Sequence, residues 1–122
     1  IKRTQMEISL DLVRSRDTLA AVASIENGPF TVGFAAETQD VAGHARRKLE
    51  RKGLDMIAAN RVGPDCGFDQ ETNALTVLWR DGQVELPQAT KPVLARRLVG
   101  LIAERYQATR AERNASSQAV RA

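Results

Sequence analysis

A chain of 122 residues, 43% of them hydrophobic, has room for one α/β domain, or part of one, with a real core. Its 18 Lys and Arg outnumber 15 Asp and Glu by only three, too little for a general nucleic-acid surface but compatible with a local anion site. At 4% aromatic content the chain lacks rings for a single-strand stacking platform, the lone Cys66 precludes an intrachain disulfide and fits a reducing cytosolic compartment, and no apolar span or signal peptide argues for membrane insertion or export.

In chain order, Met6, Ile8, Leu10 and Leu12 alternate with Glu7, Ser9 and Asp11, the pattern of a strand with one polar face. A helix is expected next, starting within Ser15 to Thr18 with Ser15 or Asp17 as cap. Leu19, Val22, Ala23 and Ile25 form its buried side, and Asn27, Gly28 and Pro29 end it. Phe30 to Ala36 reads as a strand, followed by a helix whose last turns carry Arg46, Arg47, Lys48, Arg51 and Lys52 and which Gly53 closes as a left-handed cap. Leu54 to Ala59, apolar but for Asp55, reads as a strand covered on both faces. This alternation implies right-handed crossovers onto a parallel sheet.

Gly63, Pro64 and Gly67 mark the stretch from Arg61 to Thr72 as a loop. Asn73 then opens a strand, Ala74 to Trp79, and Asp81-Gly82 turns it back into Gln83 to Leu86 as a hairpin. Leu75, Val77 and Trp79 alternate with Thr76 and Leu78, so both faces are largely apolar. One face can cover its own domain, and the other needs a further element or a second subunit. Pro92 sits in the first turn of the last helix, which Leu94, Leu98, Leu101 and Ile102 line on one side. Residues 107–122 are polar and lack an apolar stripe, as in a solvated helix end or a disordered tail.

The run from Gly33 to Asn60 has the layout of a nucleotide site: strand, loop, basic helix, buried strand. Lys48 and Lys52, four apart, share a helix face and can meet one anion together, although a basic helix face is often simply solvated. Phe34 is either core or a ring beside a strand end that stacks on a nucleobase. The amides of Arg16, Asp17, Thr18 and Leu19 open a helix and so offer an anion site. Asn60 can fix a ligand or cap a turn; Asn73 reads as a turn residue and Trp79 as hairpin packing. His44 has no partner at metal-ligand spacing and Cys66 no identifiable base, so neither is assigned a role.

GFAAET, a helix with K-x-x-x-K, and G-L-D-x-I-x-A-N together closely resemble the C-terminal half of bacterial phosphopantothenate-cysteine ligase, the synthetase part of the bifunctional coenzyme A biosynthesis protein. The likeness extends over Ile1 to Tyr106. IKRTQMEISLDLVRSRDTLAAVA is similar to the family's lysine-rich lid, strand, turn and helix, and GFDQETNALTVLWRDG to its G-F-x-x-x-x-N-x-L segment and hairpin. Ser-Arg-Asp-Thr replaces the family's Asn-Pro-Asp-Ile turn.

The resemblance implies a Rossmann-like three-layer domain over residues 1–106, with a hairpin used in dimerisation and a polar tail at 107–122. It implies the joining of 4'-phosphopantothenate to cysteine with CTP and Mg²⁺ through an acyl-cytidylate. Phe34 would contact the cytosine nucleotide and Lys48 and Lys52 its phosphates. Lys2 and Arg3 resemble the end of the family's K-x-K-K lid, whose leading lysine would precede Ile1. A start at Ile1 suits a fragment, inactive alone, whose first half carries the asparagine that handles the acyl intermediate. FMN would enter only with a decarboxylase domain fused upstream, giving a homodimer or a larger assembly, without nucleic acid or membrane as partner and in the cytoplasm. Two alternatives stand beside this: a nucleotide-binding module without chemistry, and a dinucleotide oxidoreductase fragment, which the absence of G-x-G-x-x-G after any strand weakens.

Overall fold

The computed structural model describes residues 17–63 and 72–121. The expected strand from Met6 to Leu12, Lys2, Arg3, Ser15, Arg16, Pro64, Cys66 and Gly67 all lie outside them. The described elements are α1 (Thr18–Ala23), β1 (Val32–Glu37), α2 (Val41–Lys52), β2 (Met56–Arg61), β3 (Thr72–Trp79), β4 (Gly82–Thr90) and α3 (Lys91–Arg121).

Local signals set the helix ends. Asp17 caps α1 by accepting from the Ala20 amide at 3.1 Å, and α1 stops after only six residues. Ile25, expected on its buried side, lies beyond its end and is 56% exposed, whereas Leu19 and Ala23 do pack on the core. Gly53 closes α2 at φ 69°, ψ 35°, a conformation that glycine adopts without steric cost, and its amide donates to the carbonyls of Leu49 and Glu50. At the other end, Asp40 caps α2 through Gly43 N at 3.3 Å.

The sheet runs β1-β2-β3-β4. β1 and β2 are parallel, with Phe34 beside Ala58 and Ala36 beside Asn60. β3 joins β2 antiparallel, Met56 facing Trp79 and Ala58 facing Val77, and β4 pairs antiparallel with β3. The expectation of a parallel sheet therefore holds for β1 and β2, and the described sheet as a whole is mixed. The physical reason is chain length: residues 62–71 between β2 and β3 are fewer than the dozen or so that a parallel crossover requires. Asn73, read as a turn residue, lies inside β3 beside a register shift, its Oδ1 accepting from the Ala74 amide at 2.9 Å.

Two cores sandwich the sheet. On one face Ala35, Ile57, Ala59 and Leu78 pack with Ala45 and Leu49 of α2, joined by Leu19 and Ala23 of α1. On the other, Met56, Ala58 and Val77 pack with Leu98 of α3, joined by Phe30, Trp79, Leu101 and Ile102. Three layers result, as expected, with β2 buried on both faces from Met56 to Ala59. A Thr31–Asp55 clasp fixes the start of the parallel pair: Asp55 Oδ2 accepts from Thr31 N at 2.7 Å and Oγ1 at 3.2 Å, while Thr31 Oγ1 accepts from Asp55 N at 3.2 Å.

The second apolar face of β3 needs no partner subunit, because α3 covers it within the chain. α3 continues to Arg121, so of the two readings of the tail the structure shows the helical one, with residues 110–119 exposed. No helix among the described residues is long and apolar enough to cross a membrane.

Candidate functional site

Strand alternation sorts the candidate residues. Gly33, Ala35 and Glu37 of β1 face α1 and α2, so Phe34 and Ala36 point to the opposite side. Phe34 is 73% exposed and sits in the middle of β1 rather than at its end; it is not core. Asn60, half-buried in β2, lies on the same sheet face as Phe34, since its register partner is Ala36.

Lys48 and Lys52 form a second group on the α2 side, and each ammonium already has a carboxylate. Lys48 Nζ lies 2.6 Å from Glu37 Oε1, and Lys52 Nζ lies 3.1 Å from Asp17 Oδ2. Glu37 Oε1 is buried without a well-aligned hydrogen bond, so the Lys48 ammonium is what balances its charge. His44, one turn earlier, stands 3.7 Å from Glu37 and donates from Nδ1 to the Gln39 carbonyl at 2.7 Å. The sequence pattern located the lysines but missed Glu37 and His44; three residues one turn apart, at 44, 48 and 52, were the signal that one flank of α2 faces β1.

Asp17, Thr18 and Leu19 thus lie with the lysines, at the start of α1. The Ala20 amide and then Lys52 hold the Asp17 carboxyl below its ordinary value near 3.8. A carboxyl with a depressed pKa stabilises the fold above its unfolded value and loses that contribution as pH falls through the folded one. Acidification below pH 3.8 is therefore expected to weaken the α1 cap, read as reduced protection of the Ala20 amide relative to its intrinsic exchange rate, and Asp17→Asn should abolish that pH dependence.

Among the described residues, the two groups lie on opposite sides of β1, which is one of the two edge strands of the described sheet. A ligand lying across that edge near Glu37 would have a ring on one side and two ammonium groups on the other. A separate cleft of about 600 Å³ lies at the amino ends of β1 and β2, lined by Phe30, Asp55, Trp79, Arg105 and Arg113, with the Arg105 guanidinium 5.0 Å from the Trp79 ring centroid.

Residues 1–106 match the family described as DNA/pantothenate metabolism flavoprotein C-terminal domain. The chain is 50% identical over 99 residues to the coenzyme A biosynthesis bifunctional protein CoaBC of Vibrio cholerae, covering 80% of this chain and 25% of that protein. It is 46% identical over 110 residues to CoaBC of Haemophilus influenzae, covering 89% and 28%. The chain spans about a quarter of the length of these curated relatives. A crystal structure of the C-terminal domain of CoaBC superposes with a TM-score of 0.65 at 32% identity, covering 80% of this chain and 45% of that one. With the family match running through Tyr106 and the same protein recurring among its relatives, this chain belongs to the DNA/pantothenate metabolism flavoprotein C-terminal domain family.

Proposed function

We propose that this chain is the nucleotide-binding part of a CTP-dependent phosphopantothenate-cysteine ligase. The observation that carries it is the pair Lys48 and Lys52, on one flank of α2 and directed at Glu37 of β1 and Asp17 at the start of α1, in a chain that belongs to this family. In the reaction a carboxylate oxygen of 4'-phosphopantothenate attacks the α-phosphorus of CTP and pyrophosphate leaves. The cysteine amine then attacks the acyl carbon, CMP leaves, and the amine gives up its proton as the amide forms.

This chemistry needs negative charge neutralised more than it needs a protein nucleophile. Two ammonium groups supply that, provided they exchange Glu37 and Asp17 for phosphate oxygens. Mg²⁺ would be carried mainly by the triphosphate. Phe34 and Asn60 are the residues for the base and the acyl substrate. Arg16, Asp17, Thr18 and Leu19 would add backbone contacts, Lys2 would belong to a lid over the site, and a homodimer would pair through the outer hairpin strand. FMN belongs to the reading only with a fused decarboxylase domain.

The test is the full-length protein with CTP, phosphopantothenate and cysteine: release of pyrophosphate and CMP together is expected, and CTP binding without pyrophosphate release would leave a non-catalytic nucleotide module instead. Phe34→Ala sharpens it. With the ring 73% exposed, its removal should leave the melting temperature nearly unchanged and weaken CTP severalfold more than free pyrophosphate. Equal weakening of both ligands, measured by calorimetry, would remove Phe34 from the base site.

A further inference from the structure

Arg46 leaves α2 on the side away from the lysines. Its Nη1 donates to the carbonyl oxygens of Trp79 at 2.6 Å and Arg80 at 3.3 Å, and its Nη2 to that of Gly82 at 3.2 Å. These carbonyls belong to the turn between β3 and β4. The buried stripe of α2 is Ala45 and Leu49. At about 100° per residue, Arg46 stands on one flank of that stripe, and Lys48, about 200° further round, on the other with Lys52 near it.

We propose that Arg46 is a positioning residue for the nucleotide: by fastening α2 to the β3–β4 turn it sets the rotation of the helix about its axis, and so the aim of Lys48 and Lys52. The inference rests on reading those lysines as phosphate ligands. Ala45 and Leu49 are the buried residues of α2, with Val41 partly buried on the same core, and all three are apolar contacts that do not by themselves fix the roll of the helix. A roll of roughly 10° moves a group at the side-chain radius of ~5–6 Å by about 1 Å. Misplacement of that size can cost on the order of 10²-fold in a catalytic site. The fork of a guanidinium suits the task, since it bridges several carbonyls at fixed angles, whereas an ammonium is a point donor on a flexible stem.

The experiment compares Arg46→Lys and Arg46→Gln with the wild type in the full-length protein, alone and with Lys48→Ala. Arg46→Lys is expected to lower CTP affinity about tenfold while KM for cysteine stays unchanged. Because Arg46 acts through Lys48, Lys48→Ala should cost much less in the Arg46→Lys background than in the wild type, a non-additivity typical of coupled residues. A lowered melting temperature with unaltered CTP affinity, or strict additivity, overturns the inference. If Lys48→Ala alone leaves CTP binding intact, the phosphate reading fails and the inference with it. If Lys48→Ala is damaging and Arg46→Lys silent, the inference fails alone. Should Arg46→Gln not fold, Arg46→Lys still decides.

Discussion

Lys48→Ala and Lys52→Ala are each expected to weaken CTP binding roughly tenfold, and the double replacement about a hundredfold. A hydrogen bond to a charged group contributes about 1.5–3 kcal/mol, and about 1.4 kcal/mol is a factor of ten in affinity. The lower end applies here because each ammonium gives up a carboxylate when it takes a phosphate: Glu37 at 2.6 Å for Lys48 and Asp17 at 3.1 Å for Lys52. Only the difference between the two anions appears in the affinity. Triphosphate, with more charge and a metal to carry, wins that exchange.

The carboxylates also decide which control is informative. Lys48→Ala leaves Glu37 Oε1 buried without its cation, so part of any effect could come from a disturbed β1 end. Lys48→Gln keeps a donor for Glu37 and removes only the charge. Calorimetric titration with CTP should show the same loss for both variants, with the smaller change in melting temperature for Lys48→Gln. Unchanged CTP affinity in both the Lys48 and the Lys52 variants sinks the phosphate assignment.

The sequence disclosed the elements better than their relations. Capping residues and apolar runs act over a few positions, which is why Asp17, Gly53 and the buried run from Met56 to Ala59 stand where expected. Strand direction is not local. An apolar run buried on both faces looks the same whether its neighbour is parallel or antiparallel, and only the short connection from Arg61 to Thr72 separates the cases. The site shows the same division. The spacing of Lys48 and Lys52 is legible because helix geometry is fixed, but Glu37 as the counter-charge of Lys48 depends on β1 lying under α2, a tertiary fact. Phe34 illustrates the limit most clearly, since hydrophobic type favours core and only the alternation against Ala35, seen beside α2, turns it outward.

Val77→Lys is expected to unfold the domain rather than dissociate an assembly. Two apolar faces on β3 suggest a surface waiting for a second subunit, but both are filled inside the chain: Leu78 is 1% exposed against the α2 core, and Val77 is 0% exposed beside Met56, Ala58 and Leu98. A lysine at Val77 would place an ammonium among apolar side chains with no counter-charge, at an effective cost of several kcal/mol. Total stabilities are only about 5–15 kcal/mol, so a fall in melting temperature of tens of degrees, or no cooperative transition, should follow in a thermal scan. Of the two hairpin strands, β4 is the one with an exposed edge, where Gln83, Glu85, Pro87 and Gln88 are exposed. Glu85→Lys there should melt within a few degrees of the wild type, since an exposed substitution changes stability by about 0.5 kcal/mol or less. Any shift it causes in sedimentation then reports on assembly alone, whereas a Val77→Lys protein that melts normally would place Val77 outside the core and return β3 to the list of candidate interfaces.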